Sequence, residues 1–357
     1  MTNDPQDWIR PEIQALNAYH VPDPGNMIKL DAMENPYSWP VDMVHDWQAL
    51  LQDAEINRYP DPGSRALKQQ IRIAFDINPD MEVLLGNGSD EIIQIIAMAV
   101  AGSDRVILAP EPGFVMYKMI AEFVGMKYVG VPLNANDFSL DMDVMKAAIE
   151  LHQPAVIFIA YPNNPTGNLF DQGQVREIIE QAPGLVVIDE AYAAFADHSF
   201  MSSLGQYSNL IVMRTVSKMG LAGLRLGYVA GPSQWLNEFD KIRLPYNINI
   251  LTQLSAEFAL KHKDVLDQQT ESLRIERQRL FSSLSALERY TVYPSQANFI
   301  LFRDKQGKAG ELFDALKQEG VLIKNLSAAP GMLKDCLRVT VGRSEENDAF
   351  LKVVSDF

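Results

Sequence analysis

The amino-acid sequence predicts an α/β fold. A mostly parallel central sheet is flanked by helices, a smaller α+β region follows, and an N-terminal arm precedes both. Three observations predict it. Short apolar runs alternate with helix-period stretches between residues 82 and 230, as in strands joined by crossover helices. The runs are apolar throughout, as at Leu210-Ile211-Val212-Met213, so the strands are covered on both faces. Beyond Gln253 a long helical stretch leads into a separate cluster of strands.

The arm comes first. Pro5, Pro11, Pro22, Pro24 and Gly25 punctuate residues 1–30, and only a short helical turn fits between Pro11 and Tyr19. Its Trp8, Ile9, Leu16 and Tyr19 need cover from the chain's own body or from a neighbouring subunit. Residues 33–37 form a turn cluster. Residues 41–55 have helical spacing, with Val44, Trp47, Leu50 and Leu51 on one face. A rigid loop spans 57–63, and Ser64 is placed to cap a helix over 65–75. A strand at 82–85 runs into Gly86-Asn87-Gly88-Ser89-Asp90-Glu91 and an apolar helix at 92–100. Strand, glycine turn and helix can cradle a phosphate on backbone N–H groups; a plain βα turn with a Ser or Asp cap reads equally well. No Gly-Lys-Ser/Thr follows, so it is not a Walker motif.

Further strands are expected at 105–109, 127–131, 155–160, 185–188, 210–213 and 227–230. Helices are expected at 112–124, within 141–151, and at 172–181. In the second region a helical stretch over 253–287 precedes strands at 291–293, 299–301, 321–323 and 337–341, with helices at 309–319 and 345–354.

Composition narrows the function classes. The chain has 357 residues, enough for two domains, and a net charge of −15 with no basic run, which argues against nucleic acid as a partner. A small anionic substrate stays open, because a few local cations can outweigh a diffuse negative surface. Cys336 is the only cysteine, so there is no internal disulfide and no thiolate-rich metal site. No apolar run approaches a membrane span, and the first ten residues carry no apolar signal segment; a cytoplasmic location is the expectation.

Three motifs lie just after expected strand ends, where ligands of parallel sheets bind. In Tyr161-Pro162-Asn163-Asn164-Pro165-Thr166-Gly167, prolines and a glycine fix a turn that presents an asparagine; a purely structural turn is the alternative. In Val187-Ile188-Asp189-Glu190-Ala191-Tyr192, a carboxylate ends an apolar strand. It is costly to desolvate unless it meets a cation, such as a protonated pyridine nitrogen, or it serves simply as a helix cap. Thr215-Val216-Ser217-Lys218, with Arg225 seven positions after the lysine, offers an amine for a Schiff base and hydroxyls and a guanidinium for a phosphate; otherwise it is a surface lysine after a strand.

In this order the motifs resemble the pyridoxal-phosphate-dependent aminotransferases of fold type I, classes I and II, and the likeness covers nearly the whole chain. The resemblance implies pyridoxal 5'-phosphate as cofactor and a catalytic Lys218 that binds it and shuttles a proton. Asp189 would pair with the pyridine nitrogen, and Asn164 and Tyr192 with the ring's phenolic oxygen. Gly88, Ser89, Asp90, Thr215, Ser217 and Arg225 would hold the phosphate, and Phe114 would stack on the ring where many relatives have tyrosine. The stretches Asn57-Arg58-Tyr59-Pro60-Asp61, Leu30 to Tyr37, Lys218 to Gly227 and Leu337 to Gly342 are most similar to the histidinol-phosphate aminotransferase branch.

That branch implies a homodimer with shared sites, in which Tyr59 reaches the partner's cofactor phosphate. It also implies a substrate-anion site at Arg338 and Lys324, with Tyr19 and Asn247 as further contacts. The implied substrates are histidinol phosphate, glutamate and 2-oxoglutarate, used in ping-pong order. The implied layout is an arm (1–30), a large cofactor-binding domain (46–252) and a small domain (31–45 and 253–357). An aromatic-amino-acid aminotransferase and a pyridoxal-phosphate-dependent phosphoamino-acid decarboxylase are the alternatives on this fold. A pyridoxal-binding regulator would need an added DNA-binding domain, for which neither room nor basic charge is expected before Met33.

Overall fold

The computed structural model describes residues 4–18, 22–102, 104–329 and 331–357. Twelve strands among them are β1 Ile28–Leu30, β2 Glu82–Gly86, β3 Val106–Glu111, β4 Lys127–Pro132, β5 Val156–Ala160, β6 Leu185–Asp189, β7 Leu210–Thr215, β8 Gly227–Gly231, β9 Tyr290–Val292, β10 Phe299–Asp304, β11 Val321–Asn325 and β12 Cys336–Thr340. Seven form one sheet in the order β2-β8-β7-β6-β5-β3-β4, and five form a second in the order β1-β11-β12-β10-β9. In the larger sheet β8 alone runs against its neighbours β2 and β7, and the other pairings are parallel.

The apolar runs become central strands because they feed two cores at once. Along β5 and β6, Ile157, Ile159, Val186 and Ile188 enter the core on one face, while Val156, Phe158, Leu185 and Val187 enter the core on the other. Successive side chains of a strand point to opposite faces, so only an unbroken apolar run satisfies both. The strand order reverses around β3, with β4 on one side and β5 on the other. Such a reversal opens a crevice at the carboxyl ends of the strands, and the loops after β2, β3, β5, β6 and β7 gather there.

Five local expectations change. Residues 28–30, expected in the arm, form an edge strand parallel to β11, with Ile28 opposite Val321. In the helix Val41–Gln52 it is Met43 that is buried, while Leu50 is 38% exposed. Ser64 does not cap the helix Arg65–Ala74: its backbone is left-handed, and the Asp61 carboxylate accepts from the Arg65 amide at 2.8 Å. The long helical stretch is two helices, Ile250–Lys261 and Lys263–Ser285, broken at His262. A helix at Ser233–Asp240 carries no signal strong enough to have been read from the sequence.

In the arm, a single turn of helix at Pro11–Gln14 is present, and Arg10 donates to the Phe123 carbonyl on the helix Val115–Val124. Trp8 remains 82% exposed on the single chain, so the chain's own body does not cover it. Tyr19 lies outside the described residues.

Candidate active site

The crevice at the strand ends contains a pocket lined by Ser89, Asp90, Phe114, Asn164, Asp189, Tyr192, Thr215, Ser217, Lys218 and Arg225, with Met33, Ala160, Pro162 and Ala191 between them. Ten residues singled out in the sequence, spread over 137 positions, therefore face one space. Each arrives on a loop whose shape follows from its residues.

After β2, Gly88 has φ +88 and ends the strand so that the helix Ser89–Val100 starts at the pocket. A Cβ on Gly88 would lie 2.8 Å from Arg225 Nη2, so only glycine leaves room for the guanidinium. A Cβ on Gly227 would meet the Gly88 backbone at 2.7 Å, so β8 packs directly under the turn. After β5, Asn163 donates to the Pro112 carbonyl and to Thr166, and the Gly167 amide donates back to Asn163. This locked turn fixes Asn164, whose amide donates to the Tyr192 hydroxyl at 3.1 Å. After β7, the Thr215 hydroxyl donates to the Leu226 carbonyl and lies 2.9 Å from the Ser217 hydroxyl.

Two charged groups define the electrostatics. The Lys218 amine is buried and donates to the Ala32 carbonyl at 3.2 Å. Burial, reinforced by the nearby Arg338 charge, pulls its pKa down from 10.5 to about 8. Asp189 is also buried, and burial pushes its carboxyl up to about 6. Two donors oppose that rise: the Tyr117 hydroxyl at 2.7 Å and the Ala191 amide at 3.1 Å. Burial raises the Asp90 carboxyl as well, although Arg225 lies 3.6 Å away. A neutralisable amine and a carboxylate without an adjacent cation suit a ligand that brings an aldehyde and a basic ring nitrogen.

Arg338 sits on β12 directly opposite Lys324 on β11. Its guanidinium donates to Asn164 Oδ1 and to the Asp31 carbonyl at 3.0 Å, and lies over the Phe299 ring. It thus touches the pocket through Asn164. Tyr59 and Asn247 are not brought to the pocket of this chain. Tyr59 is 81% exposed and stacks on Tyr246 with ring centres 4.4 Å apart. The Asn247 amide donates to Glu91 and to the Leu85 carbonyl, behind the β2 turn.

The sequence reading missed two contributors. Tyr117 stands one helical turn after Phe114, a spacing that places both on one face of a helix. The segment around Met33 was read as a turn cluster within a stretch that carries the family resemblance, with no contact assigned to it, and it ties both sheets to the pocket. Its Ala32 carbonyl accepts from Lys218, its Met33 amide donates to Thr340, and its Asn35 amide donates to the Met219 carbonyl. Backbone acceptors of this kind leave no residue-type signal.

Comparison with known proteins accords with this geometry. Residues 25–354 match the profile of the aminotransferase class I and II family. The chain belongs to the class I and II aminotransferases. Histidinol-phosphate aminotransferase 2 of Nitrosococcus oceani is 54% identical over 347 residues, spanning 97% of this chain and 96% of that one. Histidinol-phosphate aminotransferase of Chromobacterium violaceum is 50% identical over 352 residues, spanning 99% and 98%. The structure of histidinol-phosphate aminotransferase from Sinorhizobium meliloti, solved with pyridoxal-5'-phosphate, superposes with a TM-score of 0.85 at 24% identity, covering 98% of each chain. That last likeness speaks to the fold of this aminotransferase. Among the described residues no helix is long and apolar enough to cross a membrane, and no cluster of side chains could hold a metal ion.

Proposed function

We propose that this aminotransferase moves an amino group between histidinol phosphate and 2-oxoglutarate, returning imidazole-acetol phosphate and glutamate, with pyridoxal 5'-phosphate as its cofactor. The observation that carries the chemistry is the pair of groups that line one pocket, the Lys218 amine with its lowered pKa and the Asp189 carboxylate. The names of relatives sharing half their residues with this chain support the substrate.

When bound, the cofactor would supply an electron-accepting pyridine ring for the chemistry at the substrate's amino carbon. The chain's own residues do the rest. Lys218 Nζ would attach the cofactor and, when freed, take the proton from the substrate's Cα; a pKa near 8, rather than 10.5, leaves about a tenth of the free amine neutral at pH 7 and about half at pH 8. Asp189 supplies the negative charge that keeps the ring nitrogen protonated. The Tyr192 hydroxyl accepts from Asn164, so its own proton would be available to the ring's phenolic oxygen. Ser89, Thr215, Ser217 and Arg225, with the N–H groups at the start of the helix Ser89–Val100, bind the phosphate, and Gly88 leaves the space they need. Phe114 forms the wall against the ring face.

Arg338, with Lys324 beside it, receives the phosphate of one substrate and the carboxylate of the other, so the two must occupy the pocket in turn, in ping-pong order. The exposed Tyr59 is available to a second copy, which makes a homodimer with shared sites the working assembly. The layout of an arm, a large domain over 46–252 and a small domain over 31–45 and 253–357, and a cytoplasmic location, belong to the same proposal.

A single-turnover absorbance titration tests it. The cofactor-loaded protein is mixed separately with histidinol phosphate, phenylalanine and glutamate. Histidinol phosphate should discharge the band of the lysine-bound cofactor at far lower concentration than phenylalanine, and 2-oxoglutarate should restore it. Discharge by phenylalanine at lower concentration would instead make the protein an aromatic-amino-acid aminotransferase.

A further inference from the structure

We propose that Tyr117 is a positioning residue that holds Asp189 ionised and oriented, through the hydrogen bond from its hydroxyl to Asp189 Oδ2. The inference rests on the functional reading above and adds a residue to it. Tyr117 is fully buried, as is Asp189, and the bond between them measures 2.7 Å. A buried phenol needs a partner for its proton, and this one is spent on the carboxylate oxygen rather than on a backbone carbonyl. The Ala191 amide holds the other oxygen, Oδ1, at 3.1 Å. The two donors approach different oxygens. They fix the plane of the carboxylate while leaving each oxygen a second lone pair.

The ring of Tyr117 is fixed as firmly as its hydroxyl. It stacks on Phe158 of β5 with ring centres 4.7 Å apart, and it meets Phe114 edge-on at 5.5 Å. Phe114 lines the pocket, so one tyrosine joins the aromatic wall to the carboxylate that faces the ring nitrogen.

The direction of the effect follows from the groups around Asp189. Burial disfavours its charge, and the carboxylates Asp90 and Glu190 disfavour it further. Tyr192, on the next turn of chain, is itself a buried neutral phenol. Against these stand the Tyr117 hydroxyl and the Ala191 amide. Hydrogen bonds to the charged form of an acid lower its pKa. Removing the hydroxyl should therefore raise the Asp189 midpoint. At neutral pH the cofactor-free protein would then carry a larger share of neutral Asp189, which cannot balance a protonated ring nitrogen.

The test is made on cofactor-free protein, so it does not depend on turnover. Carbon-13 NMR of protein labelled at aspartate carboxyls follows the Asp189 titration, with the resonance assigned by its loss in Asp189→Asn. Tyr117→Phe keeps both ring contacts and removes only the hydroxyl. The Asp189 midpoint should rise by about one pH unit, a tenfold change in proton affinity. Replacing Tyr117 with a ring-fluorinated tyrosine, which donates more strongly in the same shape, should move the midpoint the other way. Phe158→Leu disturbs the stack and spares the hydroxyl, so it should leave the midpoint in place.

An unchanged midpoint in Tyr117→Phe, or a shift of equal size in Phe158→Leu, would overturn the proposal and leave Tyr117 as packing. The absorbance band of the lysine-bound cofactor is recorded on portions of the same samples after pyridoxal phosphate is added. Its absence from wild-type protein would count against the functional reading, whereas the NMR midpoints bear on Tyr117 alone.

Discussion

Asp189 and Glu190 are adjacent acids at the end of one strand, and they lead opposite lives. Glu190 points away from the pocket and is fully buried, with an ion pair to Arg214 at 2.7 Å. It also accepts from the Ser199 hydroxyl and the Phe200 amide. Asp189 lines the pocket, is also buried, and among the described residues has two neutral donors. The back-face acid brings its counter-ion with it. The pocket-face acid is left to find one in a ligand, and its raised pKa measures that deficit. Lys218 shows the same deficit with the opposite sign, its amine donating to the Ala32 backbone carbonyl. A site that is to bind a charged group stays electrostatically incomplete, while the scaffold behind it does not.

The largest effect should come from the pocket face. Lys218→Ala removes attachment and base together and should cut turnover by on the order of 10⁴-fold or more, with the fold retained. Multiple-turnover activity close to wild type would remove Lys218 from the mechanism. Glu190→Gln should do the reverse. It strands a largely buried Arg214 and should cost about 3 kcal/mol of stability, read from denaturant unfolding, while the folded protein keeps its chemistry.

The sharpest form of the contrast is Asp189→Asn. The folded pKa of about 6 lies above the ordinary value of 3.8, so the folded chain carries a penalty that is absent at pH below the ordinary value and complete above about pH 6. Replacing the acid should thus stabilise cofactor-free protein at pH 8 by on the order of 2–3 kcal/mol, yet reduce turnover by roughly 100-fold or more. Loss of stability at pH 8 would erase the distinction between the two acids.

Smaller effects sharpen it further. Arg338→Gln should lower kcat/KM for both the phosphorylated and the carboxylated substrate by about 100-fold, since one fork serves both anions. A loss confined to one substrate would show that the other anion is held elsewhere. In cofactor-free protein, capture of pyridoxal phosphate by Lys218 requires the neutral amine. Its rate should therefore rise with pH and level off above about 8, whereas an ordinary lysine would keep climbing towards about 10.4. The smallest effect is expected for Tyr59→Phe, a several-fold weaker cofactor affinity worth about 1 kcal/mol, measured by equilibrium dialysis.

The strands were legible because burial on both faces demands unbroken apolar runs, and β5, β6 and β7 have them. Asn164, Asp189 and Lys218 were legible because each is a polar residue at or just after the end of such a run, and Arg225 because it follows that lysine by seven positions in a glycine-bearing stretch. Ser64 misled because serine is a frequent helix cap, yet the chain turns left-handed there and leaves that role to Asp61. Leu50 misled because helical spacing identifies an apolar stripe without saying how much of it the body covers. Tyr117 passed unnoticed because an aromatic inside an apolar helix reads as core, and only its partner distinguishes it.

By itself, the sequence determined the order of strands and helices and the loops on which the chemistry-bearing residues stand. Both depend on local periodicity and on the backbone preferences of glycine and proline, which the chain carries wherever it goes. The tertiary structure alone decided that Lys218 and Asp189 line one pocket, that Glu190 turns to Arg214, and that backbone carbonyls at Asp31 and Ala32 meet Arg338 and Lys218. Those relations join residues up to 307 positions apart, and the energies that set them come from burial and from partners met only after the chain has folded.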